Sequence, residues 1–187
     1  MLSKLKVMMR GHDAWSCDIL PTEAPGNHIQ GDVCEILEDG WDMMIAHPPC
    51  TYLASMGIWW NHKRPERWPL TFKAMDFVKK LADAPIEHIA IENPIGYLNR
   101  HGRKPDCIVN PWQFGDEAHK PTCLWLKNLP KLFPTKIVGR GKFYTKANGT
   151  RMSAWSHITS GTRKSERAKI ASRTFQGIAD AMAEQWG

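Results

Sequence analysis

Short apolar runs bounded by polar and turn residues alternate along the chain with longer stretches of helical spacing. The runs predict β-strands over 13–19, 43–46, 88–91 and 122–126, with a further short segment over 34–37. Apolar residues at helical spacing predict helices over 2–10, 66–83 and within 165–186. Residues 5–9 also fit a first strand. Alternating strands and helices indicate an α/β fold with a parallel or mixed sheet.

The two longer helical stretches each predict one buried face. Pro69 belongs in the first turn of the helix over 66–83. The residues expected to point inward from that helix are Phe72, Met75, Phe77, Val78 and Leu81. The inward residues expected near the C-terminus are Ile178, Ala181, Met182 and Trp186.

Composition limits the class of protein. The 187 residues, 42% of them apolar, suit one domain with a real core. The five cysteines are odd in number, scattered and without a C-x-x-C pair, which favours reduced thiols over disulfides or structural zinc, so no metal site is expected. No apolar run approaches the length of a membrane span, so we expect a cytoplasmic protein without membrane contact.

The net charge of +6 is concentrated in one segment. Residues 136–174 hold ten Lys or Arg and one acid, Glu166, interleaved with glycines and with Phe143, Tyr144 and Trp155. Such a mixture suits a polyanion surface, although a solvated, mobile loop has the same composition. The candidate nucleic-acid contacts are Lys142, Lys146, Arg151, Arg163, Lys164 and Arg167.

Two predicted strands are followed by residues with nucleophilic or ionisable side chains. The run 43–46 is followed by His47-Pro48-Pro49-Cys50, and the run 88–91 by Glu92-Asn93-Pro94. Consecutive strands of an α/β sheet usually lie side by side, and ligands bind at their carboxyl ends. The thiol and the carboxylate are therefore expected to share one cleft. The alternative for Cys50 is a small buried residue in a turn.

The motifs HPPC and IENP resemble the catalytic Pro-Cys and Glu-Asn motifs of the DNA cytosine-C5 methyltransferases. The resemblance is closest to the short members that phages and prophages carry. Asp18 after a strand, and Gly31-Asp32-Val33, resemble that family's acidic and Gly-Asp-Ile cofactor motifs. The segment from Phe114-Gly115 through Lys120-Pro121-Thr122 to the strand CLWL, and the helix GIADAMAEQW, resemble later family segments.

The resemblance implies a three-layer sandwich with a mostly parallel, Rossmann-like sheet of the S-adenosylmethionine-dependent methyltransferase type. Cys50 would add covalently to C6 of cytosine in DNA, and Glu92, its protonated form favoured by partial burial, would act at N3. The residues implied to hold the substrate are Pro48, Pro49, Asn93, Lys120 and Thr122. The residues implied to hold S-adenosylmethionine are Asp18, Asp32, Val33 and His47. His47 could also act on Cys50, or cap the end of its strand.

Two departures from the family set the expected organisation. The eleven residues before His12 do not supply the family's first strand, glycine loop and first helix. We therefore expect either an N-terminally shortened relative or a site that another subunit completes. Loss of the strand would expose sheet edges, so we also expect the chain to self-associate. In place of a recognition domain stands a basic, glycine-rich loop region over 136–164, between a catalytic core over 1–135 and a C-terminal helix over 165–187.

Three functions remain open from the sequence. The first is methyl transfer to cytosine in DNA, and the second is thiol addition to a pyrimidine nucleotide. The third is a catalytically impaired remnant that binds nucleic acid or interacts with another protein. Trp59 and Trp60 follow the Cys50 loop, where an aromatic ring could fill the gap left by a flipped base or serve ordinary packing.

Overall fold

The computed structural model describes residues 11–22, 25–161 and 174–187. The predicted helix over 2–10 and the first part of the segment 165–186 lie outside these residues. The chain divides into two units. The sheet unit comprises residues 31–109 and 121–131, and the terminal unit comprises the described residues up to 30, 110–120 and from 132 onward.

The sheet unit is built on a mixed four-stranded sheet. Its strands are β3 (Met43–Ala46), β4 (His88–Pro94), β5 (Cys107–Val109) and β6 (Thr122–Lys127), in the order β3-β4-β6-β5. The pair β3–β4 is parallel, whereas β6 runs antiparallel to both β4 and β5. The mixed α/β class is confirmed, with parallel pairing confined to β3–β4 within this sheet.

The strand β4 is longer than its apolar run predicts. It continues through Glu92, Asn93 and Pro94, because β6 pairs with all three residues. Proline at the last ladder position is tolerated, since no further hydrogen bond is needed there. The Glu92 motif therefore lies within the end of the strand and not in the loop after it.

The helices of the sheet unit are α1 (Ser55–Lys63), α2 (Trp68–Ala82) and α3 (Tyr97–His101). The predicted helix over 66–83 is confirmed as α2, with Pro69 in its first turn. It buries Thr71, Val78 and Leu81, of which Val78 and Leu81 belong to the core formed with the strands. The prediction that Phe72 points inward is wrong.

The periodicity of the helix places Phe72 away from its buried face. It follows Thr71, which occupies the buried face, and one residue along a helix turns the side chain by about 100°. The Phe72 ring is exposed and stacks on Trp68, with ring centroids 6.0 Å apart.

The terminal unit contains two small strand pairs. β1 (Ser16–Asp18) and β2 (His28–Gln30) pair in parallel, while β7 (Phe143–Thr145) and β8 (Arg151–Ser153) form an antiparallel pair. Two helices follow, α4 (Ala154–Gly161) and α5 (Gln176–Gln185). The segment predicted as a loop over 136–164 therefore contains a β-hairpin and a helix.

The C-terminal helix agrees with its predicted face. Ile178, Ala181 and Met182 are buried, and Trp186 is partly buried. No helix among the described residues is both long and apolar enough to cross a membrane.

Candidate active site

The two motif-bearing strand ends lie next to each other in the sheet unit. Met43 pairs with His88 and Ala46 with Ile91, in parallel register. The residues that follow, His47 and Glu92, are therefore opposite each other where the ladder ends. The prediction that these two strands are neighbours is confirmed.

Two side-chain contacts join the strand ends. Asn93, which is buried, donates from Nδ2 to the carbonyl oxygen of Pro48 at 3.0 Å. The Nδ1 atom of His47 lies 3.1 Å from Oε2 of Glu92, whose side chain is only 13% exposed. The arrangement therefore brings together His47, Pro48, Glu92 and Asn93.

His47 pairs with the candidate catalytic carboxylate. An imidazole nitrogen at this distance can share a hydrogen bond with a carboxyl group and exchange a proton with it. The sequence carried only part of the signal for this pairing, because His47 and Glu92 each follow a run of four residues but the register between the two strands is not given by the runs. In a parallel pair of equal register those positions are opposite each other.

Cys50 is exposed and lies in a tight turn. Its carbonyl oxygen accepts hydrogen bonds from the amides of Leu53, at 3.0 Å, and Ala54, at 2.8 Å. Pro48 before it is buried and Pro49 is exposed. The alternative that Cys50 is a small buried packing residue is therefore wrong, although it does occupy a turn.

The exposure of Cys50 predicts selective alkylation. In contrast, burial, together with the nearby thiol of Cys107, raises the pKa of Cys123 to about 11. At pH 8 about one Cys123 thiol in a thousand would be ionised. We expect iodoacetamide to modify Cys50 before Cys123, as measured by peptide mass spectrometry of the native protein. Equal labelling of the two residues without denaturant would contradict this placement of the thiols.

The loops beyond both strand ends are also fastened through the backbone. The amide of Tyr97 donates to the carbonyl of Leu53 at 2.6 Å, and Ala54 forms a bridge with Gly96. The Ser55 hydroxyl donates to the carbonyl of Ile95 at 3.0 Å. The segment that carries the thiol and the segment that follows the carboxylate are thus held together.

Close approach at Gly96 depends on the absence of a side chain. A Cβ atom there would lie 2.0 Å from the Leu53 carbonyl oxygen. We expect Gly96→Ala to lower the free energy of unfolding by about 1–3 kcal/mol, because the two backbones must separate. Urea denaturation measures the change, with Gly31→Ala as control, since a Cβ at Gly31 meets nothing within 4 Å. Equal stability of the two variants would show that the loops do not depend on this contact.

The other residues predicted to hold substrate are divided between the units. Thr122 is buried in β6, where it pairs with Pro94 at the end of β4. Lys120 belongs to the terminal unit, where its Nζ lies 5.2 Å from the Trp155 ring and 5.9 Å from the Phe175 ring. Thr122 therefore adjoins the site by register, whereas Lys120 is held by aromatic rings in its own unit.

The two candidate cofactor carboxylates are each oriented by a backbone amide. Oδ1 of Asp18 accepts from Leu20, and Oδ1 of Asp32 accepts from Cys34, both at 2.9 Å. The hydrogen bond from the Cys34 amide lowers the pKa of Asp32. Asp32 thereby caps the 3-10 turn of Val33–Glu35, and the half-buried Val33 packs against the core of the sheet unit. Asp18 belongs to the terminal unit and Asp32 to the sheet unit.

The predicted nucleic-acid contacts lie partly on the hairpin of the terminal unit. Lys142 precedes β7, Lys146 lies in the turn, and the Arg151 guanidinium is 4.5 Å from the Phe143 ring. Arg163, Lys164 and Arg167 lie outside the described residues. The described part of this segment thus presents cations beside an aromatic ring.

Comparison with known proteins does not identify a family for this chain. No protein-family model and no curated protein matches the chain.

Proposed function

We propose that the chain transfers a methyl group from S-adenosylmethionine to C5 of cytosine in DNA. The observation that carries the proposal is the joining of the Cys50 loop to the Glu92 strand end at neighbouring parallel strands. A nucleophile and a proton donor for one ring must come from the same cleft.

The chemistry follows from the two side chains. Cytosine is a poor nucleophile at C5, so the Cys50 thiolate first adds to C6 while the Glu92 carboxyl donates its proton toward N3. This addition converts the ring into an enamine that is nucleophilic at C5. After C5 has been methylated, a water molecule takes the C5 proton, and the N3 proton returns to Glu92 as Cys50 leaves as a thiolate, which restores aromaticity. His47, 3.1 Å from Glu92, would hold that carboxyl group in position.

In the sheet unit, Asp32 and Val33 fit the cofactor chemically. Asp32 is an exposed carboxylate held by a backbone amide, and carboxylates accept hydrogen bonds from ribose hydroxyls. Val33 offers an apolar contact for an adenine ring. S-adenosylmethionine, when bound, supplies the electrophilic methyl group.

The proposed fold is a three-layer, Rossmann-like methyltransferase domain. The parallel pairs β1–β2 and β3–β4 support it, together with the helix α2 between β3 and β4 along the chain. Among the described residues β3 pairs only with β4. A second copy of the chain or a partner subunit that adds a strand to β3 remains part of the proposal.

The test is methyl transfer from tritiated S-adenosylmethionine to polymers of defined composition. Transfer to a dG·dC polymer but not to a dA·dT polymer supports the proposal. A DNA that contains 5-fluorocytosine should remain covalently attached to the protein, because the fluorine cannot leave as the proton does. Transfer to free cytosine nucleotides alone would favour the nucleotide enzyme. No transfer to any of these substrates would overturn the proposal.

A second function is favoured by the hairpin of the terminal unit. Tyr144 is exposed on β7, and the Arg151 guanidinium lies over the adjacent Phe143. Cations beside aromatic rings suit nucleic acid without requiring catalysis. A binding protein of this kind would retain salt-dependent DNA binding and show no methyl transfer.

A further inference from the structure

The helix α1 directs three of its large apolar side chains outward. Its buried residues are Gly57 and Asn61, whereas Met56, Trp59 and Trp60 are 67%, 50% and 42% exposed. An ordinary surface helix shows the reverse pattern. Contiguous exposed apolar side chains of this size mark a site of interaction.

A buried polar network sets this orientation. Asn61, fully buried, donates from Nδ2 to the Thr71 hydroxyl at 2.7 Å and accepts from Nε of Arg67 at 3.2 Å. The Thr71 hydroxyl donates in turn to the Tyr52 carbonyl at 3.1 Å. Rotating α1 to bury the tryptophans would expose these polar groups or leave them buried without hydrogen-bond partners. A buried polar group without a partner costs more free energy than a formed hydrogen bond contributes. The outward tryptophans are therefore built into the fold.

Cations lie over the exposed rings. The Lys63 ammonium is 5.8 Å from the Trp59 ring, and the Arg64 guanidinium is 5.4 Å from the Trp60 ring. The two indoles meet edge to face, with centroids 4.9 Å apart. The segment 43–65 contains no Asp or Glu. The acids nearest to this segment along the chain are Asp42 and Glu66. The surface thus combines flat apolar area with two cations, which favours an anionic partner with planar groups over a protein partner.

The helix also follows the Cys50 turn directly. Its first residue follows Ala54, whose amide donates to the Cys50 carbonyl at 2.8 Å. A Cβ on Gly57 would lie 2.2 Å from the Thr51 carbonyl oxygen, so helix and turn are in direct backbone contact. A strand that lies along α1 would pass beside the candidate nucleophile.

We propose that Trp59 and Trp60 form a stacking platform for unpaired bases of single-stranded DNA, with Lys63 and Arg64 contacting its phosphates. The inference that DNA bound on this platform reaches Cys50 rests on the proposed function. It restricts the proposed substrate to DNA whose target base is already unpaired or flipped out. Base–aromatic stacking tolerates any sequence, since every base offers a flat face.

The experiment measures binding of two labelled probes by fluorescence anisotropy. One is a twelve-residue oligothymidine, and the other is an abasic backbone of the same length. We expect the double variant Trp59→Ala/Trp60→Ala to bind oligothymidine at least about tenfold more weakly. We expect its binding to the abasic backbone to stay within about twofold, because that probe reports phosphate contacts. The Trp59→Phe/Trp60→Phe variant should retain most of the oligothymidine binding.

Trp15 provides the matched control. It is 45% exposed and lies outside α1, so Trp15→Ala should leave both affinities unchanged. Failure of the wild-type protein to bind oligothymidine, unchanged binding by the double alanine variant, or equal losses on both probes would each overturn the platform. Far-ultraviolet circular dichroism confirms that the variants are folded.

The outcome is separable from that of the proposed function. Oligothymidine contains no cytosine and the binding assay contains no S-adenosylmethionine, so stacking can be confirmed in a protein that transfers no methyl group. Conversely, methyl transfer that survives the double alanine variant at saturating DNA, with unchanged oligothymidine affinity, would support the enzyme and overturn the platform.

Discussion

Replacing Cys50 with alanine is expected to reduce methyl transfer to cytosine by at least about 10⁴-fold, since loss of a covalent nucleophile removes the pathway through the adduct. The thiol is exposed, so its removal should leave the free energy of unfolding nearly unchanged. Affinity for S-adenosylmethionine and for DNA should also remain near the wild-type value. Single-turnover transfer of tritium measures the rate and urea denaturation measures the free energy of unfolding. Calorimetry measures cofactor binding, and fluorescence anisotropy measures DNA binding.

The half-buried Cys107 supplies the control for this substitution. It lies in the same unit, so Cys107→Ala tests whether removing any thiol affects the reaction. If Cys50→Ala transferred methyl groups at the wild-type rate, covalent addition through Cys50 would be excluded. The 5-fluorocytosine adduct should disappear in the same variant.

Replacing Glu92 with glutamine is expected to lower the rate of methyl transfer by about 10²–10⁴-fold. Glutamine matches glutamate in size but cannot give up a proton as a carboxyl group does, and a positioned acid contributes a factor of this order. Because the Glu92 side chain is mostly buried and faces His47, an isosteric amide should preserve the packing. The rate is measured under single turnover, at saturating DNA and cofactor.

Glu87 supplies the control for Glu92. It precedes β4 in the same unit and its side chain is 76% exposed. Glu87→Gln should leave the rate unchanged. A Glu92→Gln variant as active as this control would remove the carboxyl group from the mechanism and leave only a structural contact with His47.

The parts of the fold that the sequence predicted well are those with a strong local pattern. The run 43–46 coincides with β3, and 122–126 falls one residue short of β6. The extension of β4 could not be read locally, because Glu92 and Asn93 are polar and enter the strand only through pairing with β6. The sequence did not predict α1 for a different reason. The residues that this helix buries are a glycine and an asparagine, so its buried face has no apolar pattern.

The part of the candidate site that could be predicted is the adjacency of its two strands, because strands that follow each other along the chain usually lie side by side. Two strands separated by one long helix were expected side by side, and they bring the Cys50 loop to Glu92. The pairing of His47 with Glu92 depends on the register between the strands, which neither apolar run specifies alone. The aromatic surroundings of Lys120 come from residues distant in sequence, so no local pattern could indicate them.

The hydrogen bond between Leu53 and Tyr97 and that between Pro48 and Asn93 have an energetic consequence for the proposed reaction. Two independent loops would each lose conformational entropy when a base entered between them, and that loss would weaken every turnover. Here folding has already ordered both segments before any ligand arrives. In the proposed reaction, such a preorganised site would leave the binding energy of the DNA available for extracting the base from its neighbours instead of for assembling the catalytic groups.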